Sequence, residues 1–293
     1  MQNLLFLTFS ILLFSSACGS KREQEPQNPF KAVTGTVDFY EDFNSEFVAP
    51  RNVEVWLPPN YSTEDSSYQV LYMHDGQNVF NPETSYNGND WMVDEVLTNL
   101  ISENKVQKTI VVAAWNSGET RFAEYMPDKP VDAPMLGYDK VISDEYLKFM
   151  VQELKPFIDE NYRTNPEAEY TSIMGSSMGG LISLYAIMEY PEVFGAAACL
   201  STHWPVADNG ENDFLNYIPK SLPHPESHKI YFDYGTRGLD GEYEVYQDQV
   251  DQIMKENGFT EGENWITKKF EGHDHKEQYW AMRVHEPLTF ILN

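Results

Sequence analysis

The 293-residue chain is poor in cysteine, poor in basic side chains and without a long apolar run. It has two cysteines, Cys18 near the start and Cys199 inside the apolar stretch "FGAAACLS". That excludes a disulfide-stapled scaffold, and the setting of Cys199 makes it a core residue, not a reactive thiol. Lysine and arginine total 20 against 46 aspartates and glutamates, a formal net charge of -26. So acidic a surface argues against nucleic acid and anionic membrane as partners, and favours solubility as the plain explanation of the charge. No apolar stretch reaches the 18 or so residues needed to span a bilayer. What is abundant is core material: 41% of the residues are apolar, with 18 tyrosines, 17 phenylalanines and 6 tryptophans. A chain of this kind buries a sizeable core and is not disordered throughout.

The start, "MQNLLFLTFSILLFSSACGS", has an apolar run from Leu4 to Phe14 followed by small residues and Cys18. About 11 residues is the length of a signal-peptide core. Small residues directly before a cysteine resemble the lipobox of bacterial lipoproteins, with Ser15 where a leucine is usual. The resemblance implies a signal peptide over residues 1–17, lipidation of Cys18, and a lipoprotein exported to the bacterial cell envelope whose only membrane attachment is that anchor. The plainer alternative is an ordinary secretory signal with a chance cysteine. Residues 18–33, including "KREQEPQNPF", read as a polar tether. Residues 34–293 read as one domain, with no linker inside it.

Within that domain "TGTVDFY", "RNVEVWL" and "YQVLYM" read as strands, the second half-buried through Val53, Val55 and Leu57. "WMVDEVLTNLIS" has helical spacing, with Met92, Val93, Val96, Leu97, Leu100 and Ile101 on the apolar side. "TIVVAAW" is a buried parallel strand. Residues 116–140, with three prolines, and 201–228 show no period and read as long irregular loops. "SDEYLKFMVQELKPFIDENY" is an amphipathic helix that Pro156 should kink. Strands and helices then alternate to the end: "EYTSIM", "MGGLISLYAIMEY", "FGAAACLS", "KIYFDYG", "EYEVYQDQVDQIMKENG", "WITKKF", "KEQYWAMRVHEPLTFILN". The pattern predicts an α/β domain: a mostly parallel sheet covered by helices on both faces, with the N-terminal strands antiparallel at one edge.

"IMGSSMGGL", residues 173–181, joins a strand to a helix and contains Gly175-Ser176-Ser177-Met178-Gly179. In that setting G-x-S-x-G is a sharp turn that projects the central side chain, Ser177, from the sheet edge; Ser176 is only a flanking residue. A serine hydroxyl needs a base, and the base an orienting acid, in the chain order serine, acid, histidine. After the last strand "EGHDHKEQYW" supplies His273 and His275; His203, His224 and His228 come too early and His285 lies in a helix. After the preceding strand "YFDYGTRGLDGEYE" offers Asp233, Asp240, Glu242 and Glu244. Asp240 sits in the loop, where an aspartate could equally cap the next helix.

The blocks "VLYMHDGQNVF", "IMGSSMGGLISLYAIMEYPEVFGAAACLS", "YFDYGT" and "GHDHKEQYW" resemble, in order, those of the esterase D-like family of α/β hydrolases. That family includes feruloyl and acetyl-xylan esterases, enterochelin esterases, S-formylglutathione hydrolase and mycolyltransferases. The resemblance covers roughly residues 50–290. It implies an α/β-hydrolase fold, Ser177 as nucleophile, His275 rather than His273 as base because Lys276, Glu277 and Trp280 follow it, and Asp240 as acid. In such hydrolases the loop after the strand ending at Met73 gives one oxyanion-hole N–H, here Gln77 or the adjacent Gly76, and Met178 gives the other.

The mechanism implied is attack by Ser177 on an ester carbonyl, an acyl-enzyme, and release by water, with no metal or cofactor. His74 is expected to bond within its own turn. A His74, His273, His275 metal site matches no ligand spacing. Trp91, Arg121, Tyr125 and Trp204 are candidates to line the cleft. The expected partner is a small-molecule or glycan ester, acetyl or feruloyl on an envelope esterase. Siderophore esters, acyl transfer, and glycan binding on a catalytically idle hydrolase scaffold are the alternatives.

Overall fold

The computed structural model describes residues 33–130, 140–207 and 213–293. The leader, Cys18 and nearly all of the tether lie outside them. The strands are β1 (Thr36–Phe43), β2 (Arg51–Leu57), β3 (Gln69–Met73), β4 (Thr109–Ala114), β5 (Thr171–Ser176), β6 (Ala196–Leu200), β7 (Lys229–Gly235) and β8 (Trp265–Phe270). They form one sheet in the order β1-β2-β4-β3-β5-β6-β7-β8. β1, β2 and β4 pair antiparallel and every other pairing is parallel. The antiparallel edge is thus β1 and β2; β3 lies inside, parallel to β4 and β5, because β2 pairs with β4 instead of with its successor.

Side-chain alternation sends the strands into two cores. Val53, Val55, Tyr72, Val112, Ile173 and Cys199 face α3 (Ser143–Lys148), α4 (Lys155–Asn161), α5 (Met178–Glu189), α6 (Asp213–Ser221) and α7 (Glu244–Glu256). Trp56, Leu71, Met73, Val111 and Met174 face α1 (Val93–Ser102) and α9 (His285–Ile291). β2 is therefore buried on both faces, not half-buried as its alternation suggests: Glu54 and Trp56 are as inaccessible as Val53 and Val55.

Other differences have local causes. Met92 is exposed and left-handed (φ 55), so α1 starts at Val93, two residues into the predicted stretch. A π-helical stretch, Phe149–Leu154, links α3 to α4 without a break, and Pro156 is the second residue of α4. The 201–228 stretch holds α6, which buries Phe214, Leu215 and Ile218 despite Pro219. Short α2 (Arg121–Tyr125) forms in the 116–140 stretch. The last helix breaks at Val284 into α8 (Glu277–Arg283) and α9. The parallel strands bring the loops after β3, β4, β5, β6, β7 and β8 to one sheet edge, where the site lies.

Candidate active site

Ser177 joins β5 to α5 at φ 59, ψ −120, a conformation L-residues adopt only under constraint. The constraint is local. Its N–H donates to the Leu200 carbonyl at 2.9 Å, and its carbonyl accepts the His203 N–H at 3.2 Å. A Cβ on Gly175 would lie 2.8 Å from the Gly179 backbone, so the turn closes only on glycine; at Gly179 the nearest groups, on Asp75 and His74, stand off at 3.5 Å. Met178 opens the helix, so its N–H has no intrahelical partner. Ser176 ends β5, is buried, and borders the same pocket as Ser177.

Asp240 lies in a 3₁₀ turn, Gly238–Glu242, and caps no helix with its side chain. It is fully buried, and its Oδ1 accepts the His275 Nδ1–H at 2.6 Å. A carboxylate only accepts, so the proton sits on Nδ1 and the lone pair on Nε2. Oδ2 accepts the Ser201 hydroxyl at 2.6 Å and the Gly235 N–H at 2.7 Å. Burial pushes the Asp240 carboxyl up, but the bonds from His275, Ser201 and Gly235 together outweigh it and hold the group below its ordinary 3.8. β7 can end this close to the histidine loop because Gly235 has no side chain: a Cβ there would lie 2.3 Å from the His273 carbonyl.

Nothing in the sequence pointed to Ser201. Its φ is 41, and its oxygen accepts the Trp280 indole N–H at 3.0 Å and Arg283 Nη2 at 2.7 Å while its proton goes to Asp240. Arg283 is also paired with buried Asp233 at 2.9 Å. One hydroxyl thus ties Asp240 to a buried ion pair and to the indole that packs edge-on against His275, 5.0 Å between ring centres at 81°. Tyr243 meets His275 edge-on, at 5.8 Å and 85°. Tyr243 in turn is hydrogen-bonded to His203 at 2.6 Å. His203, too early in the chain to be the triad histidine, lies beside the site. Burial first, and then the neighbouring His275, lower its pKa to about 4, so its ring is neutral at pH 7.

Ser177 and His275 line one cleft of about 630 Å³ together with Gln77, Asn116, Arg121, Glu277 and Trp280. No hydrogen bond joins the Ser177 hydroxyl to His275 among the described residues; in ligand-free sites such contacts commonly tighten only around substrate. Gln77 sits in a 3₁₀ turn, Gly76–Asn78, its side chain accepting the Asn116 N–H at 3.2 Å. Arg121 lines the cleft and grips buried Asp75 through two bonds, 2.6 and 2.7 Å. Trp91, Tyr125 and Trp204 do not line it. Trp91 packs on Trp280, Tyr125 is wedged between His74 and Tyr146, and Trp204 lies against Phe214 and Phe232. The aromatic residues that line the cleft besides Trp280 are Tyr86 and Phe122, both exposed. His74 bonds not within its turn but to the Tyr146 hydroxyl at 2.8 Å on α3, and burial lowers its pKa to about 3. The His273 ring stacks near Phe270 and Tyr279, and His74, His273 and His275 make no metal-ligating group among the described residues.

A model of the family described as "Putative esterase" matches residues 45–289. The chain belongs to that family. It is an esterase, a carboxylic ester hydrolase with the α/β-hydrolase fold. "Uncharacterized protein YbbA" of Bacillus subtilis (strain 168) is 25% identical over 254 residues, 82% of this chain and 92% of that one. An "Endo-1,4-beta-xylanase/feruloyl esterase" of Xylanibacter ruminicola is 25% identical over 191 residues, 62% of this chain and 22% of that longer protein. Among solved structures, one named "ferulic acid esterase" superposes with a TM-score of 0.65 at 20% identity, covering 88% of this esterase and 98% of its own chain. The enterobactin esterase from Shigella flexneri gives 0.63 at 18% identity, covering 91% and 60%.

Proposed function

We propose that this esterase works by a Ser177, His275, Asp240 triad through an acyl-enzyme. The observation that carries the reading is the 2.6 Å bond from His275 to a buried, ionised Asp240, set on the same cleft as a serine in a strained strand-to-helix turn. In this scheme Nε2 of His275 takes the Ser177 proton as Oγ attacks the ester carbonyl, and returns it to the leaving alcohol. Asp240 stabilises the imidazolium. The N–H groups of Met178 and Gln77 receive the oxyanion at the α5 N-terminus. Water then attacks the acyl group by the same path.

The substrate we propose is a feruloyl or acetyl ester of a glycan, handled by a lipoprotein anchored at Cys18 on the bacterial envelope. The names of the xylanase/feruloyl esterase relative and of the ferulic acid esterase structure support the acyl group. So do Tyr86 and Phe122, exposed aromatic residues on the cleft that suit an aryl ester. The enterobactin esterase neighbour supports siderophore esters as the second reading. The test is hydrolysis of p-nitrophenyl acetate and of feruloylated oligosaccharides by the full chain beside Ser177→Ala. Turnover by the wild type and a fall of about 10³-fold or more in kcat for the variant are expected; equal rates in the two would remove Ser177 from the mechanism.

A further inference from the structure

At the other end of the loop that carries Gln77 and Tyr86, three carboxylates meet. Asp90 precedes α1, and Asp94 and Glu95 lie in its first turn. One oxygen of each falls within 4.8 Å of the others. Asp94 is fully buried. Its Oδ2 accepts the Thr34 N–H at 2.7 Å, but its Oδ1 has no partner, and neither does the buried Oε2 of Glu95. Among the described residues no lysine, arginine or histidine is ion-paired with any of the three, and the negative charge that pushes the Asp90 and Asp94 carboxyls up is that of Glu95, after burial. Three acids with two orphaned, buried oxygens form an arrangement that is unfavourable unless something neutralises it.

We propose that Asp90, Asp94 and Glu95 bind a hard divalent cation of the calcium type, which pins the cleft-wall segment to the first turn of α1. The donors are all oxygen, which selects against zinc and copper. Oxygens spread over this distance can share one Ca²⁺ at about 2.3–2.6 Å, with water and backbone carbonyls completing the six to eight it takes. The helix N-terminus contributes only a partial positive charge. The left-handed Met92 turns the chain so that Asp90 reaches back over α1, its Oδ2 accepting the Met92 N–H at 3.2 Å. Trp91, between them, packs on Trp280, which packs on His275. The cation thus holds the position of Trp91 and of the loop bearing Tyr86. The competing account is a shared proton: burial, then Glu95, push the Asp94 carboxyl up to about 8 in the metal-free protein.

The experiment is calcium titration of the EDTA-treated full chain, read by calorimetry and thermal midpoint, with Tb³⁺ luminescence excited through tryptophan as a local probe beside Trp91. The expected result is one saturable site, a midpoint raised by several degrees, and sensitised Tb³⁺ emission that Ca²⁺ displaces. Asp94→Asn and Glu95→Gln should each weaken binding by about 10-fold or more; Glu103→Gln, an exposed acid beside Lys105, should not. Glu95→Gln, at the partly exposed rim, keeps the test open if Asp94→Asn fails to fold. Folded wild type with no heat, no midpoint shift and no emission at millimolar Ca²⁺ would overturn the proposal in favour of the shared proton. Binding that survives both substitutions would overturn it as well, by placing the cation elsewhere.

Discussion

Ser177 was a legible candidate because five residues in a row demand the turn; chain order narrowed the base to His273 or His275 and the acid to the segment after β7, and the family resemblance singled out His275 and Asp240. Ser201 was not: it lies in a different loop, and only the fold brings its hydroxyl between Asp240, Trp280 and Arg283. Ser201→Ala deletes one donor to Asp240 and leaves the Trp280 and Arg283 N–H groups without that acceptor. We expect a loss of about 1–3 kcal/mol of stability. We also expect a fall in kcat with KM nearly unchanged, since no cleft-lining group is removed; chemical denaturation and steady-state kinetics on one preparation measure both. A loss of stability with kcat intact would make Ser201 a packing residue only. The aromatic predictions failed for a related reason. Composition cannot tell a core aromatic from a cleft aromatic, and Trp91, Tyr125 and Trp204 are core because residues distant in sequence bury them.

Among the elements, α2 is the one that matters most to the cleft and was least legible, being a single short turn in a proline-containing stretch. Glu124 holds it. Both its oxygens accept from Arg51 at 2.9 Å, and both side chains are about 1% exposed. Arg121, one turn earlier, carries the Asp75 pair to the cleft wall. Breaking such a pair from one side leaves a buried charge, so Glu124→Gln is expected to cost about 3–5 kcal/mol, and Arg51→Met with Glu124→Leu much less. Guanidinium unfolding midpoints of the wild type, the single and the double variant decide it. The long elements, by contrast, were readable in type and order, though not in their internal breaks at Phe149–Leu154 and Val284. Their apolar spacing is set by the sheet, whereas α6 hid behind Pro219 and an acidic lead-in, and β3 was misplaced because strand order is a property of the whole sheet.

For the molecule as a whole, an excess of acids makes pH the sharpest lever, and Glu54 is the clearest point of action. It sits in β2, about 1% exposed, and burial pushes its carboxyl up to about 8, with Trp115 only partly opposing. The folded-state pKa is above the unfolded value near 4.5, so the folded protein binds the extra proton. Its contribution is intact below pH 4.5, declines as pH rises toward 8, and is lost above that. Glu54→Gln should therefore match the wild type at pH 4 and exceed it by a few kcal/mol at pH 9; parallel denaturation curves at the two pH values check this, and an equal difference at both would contradict it.

The most direct test of the triad is to map where a serine-reactive phosphonate attaches. Ser176 and Ser177 are adjacent and both touch the cleft. Peptide mass spectrometry of the inhibited full chain should show one adduct, on Ser177, appearing in step with loss of esterase activity and absent in Ser177→Ala. An adduct on Ser176, or complete inhibition with Ser177 unmodified, would contradict the account.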